Sequence, residues 1–341
     1  MAETWQPDLL RSLMAGDDLT VEQAHVLFDR IMSGKLTEAQ TAGVLVALAA
    51  KGETVDEITG AARAMREHAL KLDPGGRDVI DVVGSGGTGL KTMNVSTPAA
   101  LVVAGAGVPV AKHGNRTNTR PSGSADVLVA LGVNIDAELG VVARCLDEAN
   151  ICYLFAVRHH PAMKHAVGVR KQLAVRTIFN ILGPLTNPAG ARRQLTGVFD
   201  AALLEPIARV LGALGAERAM VVHGDDGLDE ISISGPTRVA DLAGGEVARS
   251  TIRPQDFGVE PSPLGELAVA SAAESAERIR AVLGGKKGPD RDIVVLNAAA
   301  ALVVAGRADD IAAGIPPARQ SIDSGAAAKT LERLIAASNA G

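Results

Sequence analysis

The chain has 341 residues, a formal net charge of −5, 47% apolar side chains and only seven aromatic rings. Its length suits about two domains and its apolar share excludes a disordered chain. The acidic balance and the scarcity of aromatics argue against a nucleic-acid partner, which would need phosphate-neutralising charge and rings for stacking.

In chain order, Met1 to Gln6 lacks the basic and apolar stretches of a secretory leader. No apolar run is long enough to span a bilayer. A cytoplasmic protein with no membrane partner is therefore expected. The first seventy residues read as helices. Three starts carry capping boxes, at Thr20 to Gln23, Thr37 to Gln40 and Thr54 to Glu57. Gly34 and Gly52 are placed to close the first two helices. Pro74-Gly75-Gly76 breaks the pattern.

Alternating strands and helices follow. Strands are expected at Val79–Val83, Val108–Ala111, Ile151–Phe155 and Arg218–Val222, with helices at Ser96–Val103, Ser124–Leu131 and 137–149. This alternation predicts a mostly parallel central sheet flanked by helices. From about Ser275 the chain is helical in pattern. Cys145 and Cys152 match no metal or redox spacing and are expected as buried thiols.

Four segments could carry chemistry. Gly84-Ser85-Gly86-Gly87-Thr88-Gly89 follows a strand and precedes Thr92, Asn94, Val95, Ser96 and Thr97 at a helix start. Glycines and a helix N-terminus together suit phosphate, although a tight turn with ordinary capping has the same composition. Lys112-His113-Gly114-Asn115-Arg116-Thr117-Asn118-Thr119-Arg120, with Ser124 beyond it, reads as a basic loop that could fold over a multiply charged ligand. Asp229 and Glu230 are adjacent carboxylates, suited to Mg²⁺ or to an acidic surface turn. His159, His160 and Arg170 precede the run Arg176 to Pro188; Arg170 could fork onto a carboxylate, and the histidines lack thiol companions for a closed metal site.

These segments, in this order, closely resemble the anthranilate phosphoribosyltransferase family of tryptophan biosynthesis. The most specific pieces are Lys112 to Arg116, the long run Arg176-Thr177-Ile178-Phe179-Asn180-Ile181-Leu182-Gly183-Pro184-Leu185-Thr186-Asn187-Pro188, and Gly227-Leu228-Asp229-Glu230. The resemblance implies a helical domain over 1–75 and an α/β domain over 76–341 of the nucleoside phosphorylase/phosphoribosyltransferase type. The segment near 165–190 is then free to pack with the helical part. It implies a homodimer, and transfer of a 5-phosphoribosyl group from phosphoribosyl pyrophosphate to anthranilate. By motif, Gly84, Gly87, Thr88, Thr92, Asn94, Val95, Ser96, Thr97, Lys112, the 113–120 loop and Ser124 would meet the donor. Gly84, Asn115 and Arg170 would meet anthranilate, and Ser96, Asp229 and Glu230 would hold Mg²⁺. Arg170, His113 and His160 are the candidates for a catalytic part.

Two positions depart from the family pattern. Its glycine loop ends in Asp, where this chain has Thr88, and its basic loop reads Ser-Ser-Lys, where this chain has Thr119-Arg120-Pro121. One negative charge is lost and one positive charge moves. The departures leave room for a different acceptor and for altered metal demand. A pyrimidine nucleoside phosphorylase would need phosphate motifs that are absent here. A non-catalytic nucleic-acid-binding relative is opposed by the acidic balance and by the intact Asp229-Glu230 pair.

Overall fold

The computed structural model describes residues 7–116 and 123–340. Helices α1 (Pro7–Ala15), α2 (Val21–Met32), α3 (Glu38–Lys51) and α4 (Val55–Glu67) form the N-terminal bundle. All three capping boxes are made: Thr20, Thr37 and Thr54 each accept from the backbone N–H three residues on, and that residue's side chain returns to the cap. The third box also ties the bundle together. Buried Glu57 accepts from Thr54 N at 2.9 Å, from Leu19 N at 3.0 Å and from Lys51 Nζ at 3.0 Å.

The rest is built on one seven-stranded sheet, with strands β1 (Ile80–Gly84), β2 (Val110–Gly114), β3 (Ile151–Phe155), β4 (Arg193–Gly197), β5 (Arg218–Gly224), β6 (Thr237–Ala243) and β7 (Glu246–Ile252). Their order is β3-β2-β1-β4-β5-β6-β7. The first five are parallel, and β6 and β7 close one edge antiparallel. The mostly parallel sheet is thus observed, with β1 in its interior. Helices α5 (Ser96–Gly105), α6 (Ser124–Leu131), α7 (Leu139–Ala149), α8 (Ala156–His159), α9 (Lys164–Leu173), α10 (Phe179–Leu182) and α11 (Leu204–Ala213) connect the strands, and α12 (Ala272–Leu283), α13 (Pro289–Val304), α14 (Ile311–Asp323) and α15 (Ala326–Asn339) form the helical tail.

Two cores lie on opposite faces of the sheet. The larger packs α5, α7, α12, α13, α14 and α15 onto β1, β2 and β3, around residues such as Val82, Leu101 and Leu296. The other joins Phe28, Leu45 and Ile58 of the bundle to Ala166, Phe179 and Leu182, to α11, and to Ala219 and Val221 on the far face of β5. Arg66 of α4 ties the bundle into this second core, donating to Leu185 O at 2.7 Å and to Leu214 O at 3.1 Å.

Three strands have no counterpart among the sequence expectations. β4 carries buried Gln194 and Thr196, so its apolar pattern is broken. β6 and β7 form a hairpin on Gly244 and Gly245, whose φ of 59° and 85° fit a type I′ turn. The strand expected at Val108–Ala111 lies two to three residues later, at Val110–Gly114. Lys112 and His113 are therefore inside a strand and not on a loop. Among the described residues, no helix is long and apolar enough to cross a membrane.

Candidate active site

The C-terminal ends of β1, β2 and β5 open on one cleft of about 560 Å³. Parallel sheets place ligand sites there, because helix N-termini and loops converge beyond the strands. Gly84 closes β1, and the loop after it is free to bend: Gly86, Gly87 and Gly89 have φ of 67°, 77° and 72°. Gly86 N donates to Asp229 Oδ2 at 2.8 Å. A Cβ at Gly84 would lie 2.6 Å from the same oxygen, so the loop and the acidic turn fit only because Gly84 has no side chain.

α5 points its N-terminus into the cleft. Asn94 Oδ1 caps it, accepting from Thr97 N at 2.9 Å, and Asn94 N is held by Ser275 Oγ at 3.0 Å. Ser96 is the first helical residue and lines the cleft. Beside it lies Lys112, a residue only 2% exposed. It donates to Val82 O at 2.6 Å and to Ser96 Oγ at 3.1 Å. Burial lowers its pKa, opposed by the charges of Asp81 and Glu230. Asp81 is fully buried and its pKa is pushed up to about 6 by that burial, against the pull of Lys112 and of the Asn187 amide at 2.7 Å. This buried lysine is the reason β2 lacks an apolar signature: its charge is compensated by two carboxylates rather than by water.

Asp229 and Glu230 are both buried. Their turn is braced from two sides. Asn297 of α13 accepts from Ile231 N and donates to Ile231 O, each at 2.9 Å. Asp226 accepts from Leu228 N at 3.1 Å and from the hydroxyls of Ser232 and Ser234. Gly197, at the end of β4, lies under the Asp229 carbonyl so closely that a Cβ there would sit 1.6 Å from that oxygen.

The opposite wall comes from α9 and the segment after it. Arg170 lines the cleft, half-buried, with its guanidinium 5.4 Å from the Phe179 ring centre; burial lowers its pKa. His113 lines the cleft with both ring nitrogens engaged. Nδ1 lies 3.1 Å from Gly183 O, a carbonyl that can only accept, so Nδ1 carries the proton. Nε2 lies 3.2 Å from His160 Nε2. Burial lowers both pKa values, that of His160 to about 4. His160 itself lies behind His113, against the Thr186 backbone.

Of the residues singled out in the sequence, Gly84, Gly87, Asn94, Ser96, Lys112, His113, Gly114, Asn115, Arg116, Ser124, Arg170, Asp229 and Glu230 line this one cleft. Ser124 Oγ lies 3.3 Å from Asn115 O and 3.2 Å from the Tyr153 hydroxyl, and Arg116 pairs with Asp126 at 3.0 Å. Thr88, Thr92, Val95 and Thr97 do not line it. Thr88 Oγ1 accepts from Leu90 N, while Thr92 pairs with Ala268 in an isolated bridge. Thr117, Asn118, Thr119 and Arg120 lie outside the described residues. Lys171 and Asn180 also line the cleft without having been assigned a role. Asn180 sits in the motif run itself, and Lys171 adjoins Arg170. Among the described residues no cluster of three or more His, Cys, Asp or Glu side chains forms a metal cage.

A helical bundle beside an α/β domain with such a cleft is the architecture of a glycosyl transferase family. The pattern described as "Glycosyl transferase family, helical bundle domain" matches residues 7–69, and that described as "Glycosyl transferase family, a/b domain" matches residues 76–328. Anthranilate phosphoribosyltransferases of Rhodospirillum rubrum and Thioalkalivibrio sulfidiphilus are 55% and 53% identical to the chain. The first match covers 96% of this chain and 94% of the relative, the second 96% of both. The crystal structure of the Thermus thermophilus anthranilate phosphoribosyltransferase superposes with a TM-score of 0.93 at 42% identity, over 98% of this chain and 100% of that one. The Saccharomyces cerevisiae enzyme, solved in complex with phosphoribosyl pyrophosphate and Mg, superposes at 0.89 with 28% identity over 98% of both chains. The chain belongs to the anthranilate phosphoribosyltransferase family.

Proposed function

We propose that the cleft transfers the 5-phosphoribosyl group of phosphoribosyl pyrophosphate to the amine of anthranilate, releasing pyrophosphate, as a step of tryptophan biosynthesis. The observation that carries this reading is the convergence of the glycine loop, the α5 N-terminus and the Asp229-Glu230 turn on one cleft. The bond from ribose C1 to the pyrophosphate oxygen breaks with its electron pair leaving on oxygen. The anthranilate nitrogen lone pair forms the new bond to C1, and the nitrogen then loses one proton to water. Negative charge gathers on the departing pyrophosphate. The free N–H groups of the loop, the helix N-terminus and the Lys112 ammonium are placed to meet it.

Gly84, Gly87, Asn94, Ser96, Lys112, His113, Gly114, Asn115, Arg116 and Ser124 form the donor side in this reading. Thr88, Thr92, Val95 and Thr97 shape it from behind. Asn115 and Arg170, with Gly84, receive anthranilate, Arg170 through the carboxylate. The amine of anthranilate is uncharged at neutral pH, so orientation does most of the work. His113 and His160 hold each other and a carbonyl, which suits a fixed wall better than a base.

Ser96, Asp229 and Glu230 supply hard oxygen donors, and the missing Cβ at Gly84 leaves room beside Asp229 Oδ2, so the set suits Mg²⁺. Magnesium bound there would neutralise pyrophosphate charge. We also assign a homodimer through the bundle, supported by an apolar groove between α1 and α3 lined by Leu10, Leu13, Met14, Val46 and Ala47. The two free thiols, Cys145 and Cys152, fit the reducing cytoplasm.

The test is loss of anthranilate fluorescence on incubation with phosphoribosyl pyrophosphate and Mg²⁺. Turnover that requires all three components is expected. No turnover at any Mg²⁺ concentration would overturn the assignment.

A further inference from the structure

The glycine loop has few ties of its own. Ser85 is anchored at its root, with N donating to Gly197 O at 2.8 Å and Oγ accepting from Phe199 N at 3.0 Å. Gly86 N reaches Asp229. Chain pairing resumes only at Lys91, whose carbonyl accepts from Val269 N at 2.8 Å. Between Gly87 and Leu90, where the Leu90 side chain packs on the larger core, one hydrogen bond from outside the loop is made among the described residues: Arg176 Nη2 donates to Gly87 O at 2.5 Å. The same guanidinium lies 4.0 Å from the Phe199 ring centre. Ser85, Phe199, Arg176 and Gly87 therefore close a ring of contacts around the base of the loop. Arg176 is itself exposed and does not line the cleft.

We propose that Arg176 is a positioning residue that presets the glycine loop for the donor diphosphate. The inference rests on the donor reading above. The peptide plane from Gly87 to Thr88 is rigid and trans, so fixing the Gly87 carbonyl on Arg176 also fixes the direction of the Thr88 N–H. A loop rich in glycine has many other conformations to lose on binding. Pinning one carbonyl removes part of that cost before the ligand arrives. Arginine suits the post because it stacks flat on a ring while donating in its own plane; lysine can donate but cannot stack in this way. Arg176 also follows α9, the helix that carries Arg170. The latch thus reaches from the acceptor wall to the donor loop.

Two measurements on the full chain test this. Steady-state kinetics of Arg176→Ala should show the KM for phosphoribosyl pyrophosphate raised about tenfold, with kcat and the KM for anthranilate changed far less. Arg176→Lys should recover part of the donor KM, and Phe199→Leu should raise it non-additively with Arg176→Ala. Amide hydrogen exchange of the free protein should quicken at residues 86–90 in Arg176→Ala and stay as in the wild type in β1 and α5. An unchanged donor KM with unchanged loop exchange overturns the proposal, and so does an equal loss for both substrates. If the wild type binds no phosphoribosyl pyrophosphate, the donor reading fails, while the exchange result still reports on the latch by itself.

Discussion

His113, His159 and His160 are all held neutral by burial, His160 with a pKa near 4. The unfolded chain takes up these protons near pH 6.5, whereas the folded chain refuses them until lower pH. The stability they favour is full above about 6.5 and drains away as the pH falls through their lowered folded values, about 4 for His160. Their contribution to the thermal midpoint therefore falls between pH 7 and 4, while Asp81, raised to about 6, contributes with the opposite sign; His160→Gln should lessen the loss on the acid side, and parallel curves for the two proteins would remove His160 from the account. Arg170 is the second residue with a sharp expectation. Removing a cation that grips a carboxylate costs roughly 1.5–3 kcal/mol, so Arg170→Ala should raise the KM for anthranilate about ten- to a hundredfold and leave the donor KM nearly unchanged. An unaltered acceptor KM would reassign the carboxylate to Lys171 or elsewhere. Thr88 stands where the family pattern has an acid. It lies off the cleft wall, so Thr88→Asp should act through charge, shifting the Mg²⁺ concentration for half-maximal rate more than the maximal rate.

Among the elements, the turn at Asp229 is as exacting as the glycine loop. Gly197→Ala would drive a methyl into the Asp229 carbonyl, and overpacking of this kind costs about 1–3 kcal/mol, or several degrees of thermal midpoint. The same displacement moves both carboxylates, so the variant should also require more Mg²⁺; wild-type melting and metal dependence together would show the turn to be compliant. Gly197 carried no signal in the sequence, because its constraint comes from a carbonyl 32 residues away in the chain. The legible features were local. Capping boxes, the β1 glycine loop and the clean apolar run Ile151–Phe155 all announce themselves within a few residues. β2 was displaced because Lys112 and His113 read as loop, and only Asp81, Asn187 and Glu230 together explain their burial. β4 was missed for the same reason: Gln194 finds its partner at Pro184 O, 2.5 Å away, which no periodicity announces. The site motifs were legible as a set through resemblance, while their arrangement around Ser96 and Asp229 depended on strand order.

The whole molecule joins bundle and sheet into a shared core. Phe28 of α2 meets Phe179 edge to face at 5.7 Å, and bundle residues pack with α11 and β5. Residues 1–72 expressed alone should therefore lack a cooperative melt, since the partners of their apolar face lie beyond residue 160. The groove between α1 and α3 is the opposite case, an apolar face left uncovered, with Met14 74% exposed. Val46→Asp should halve the mass measured by light scattering if that groove is the dimer seam; an unchanged dimer mass would move the seam elsewhere. The strand order has a further consequence for synthesis. β1 sits between β2 and β4, and Ile80 pairs with Arg193 while Gly86 bonds to Asp229, 143 residues onward. At about 5–20 residues per second, roughly seven to thirty seconds of translation separate the glycine loop from the carboxylate that holds it. Throughout that interval the nascent chain carries an open strand edge, and a message truncated before residue 224 should yield aggregate rather than a smaller soluble domain.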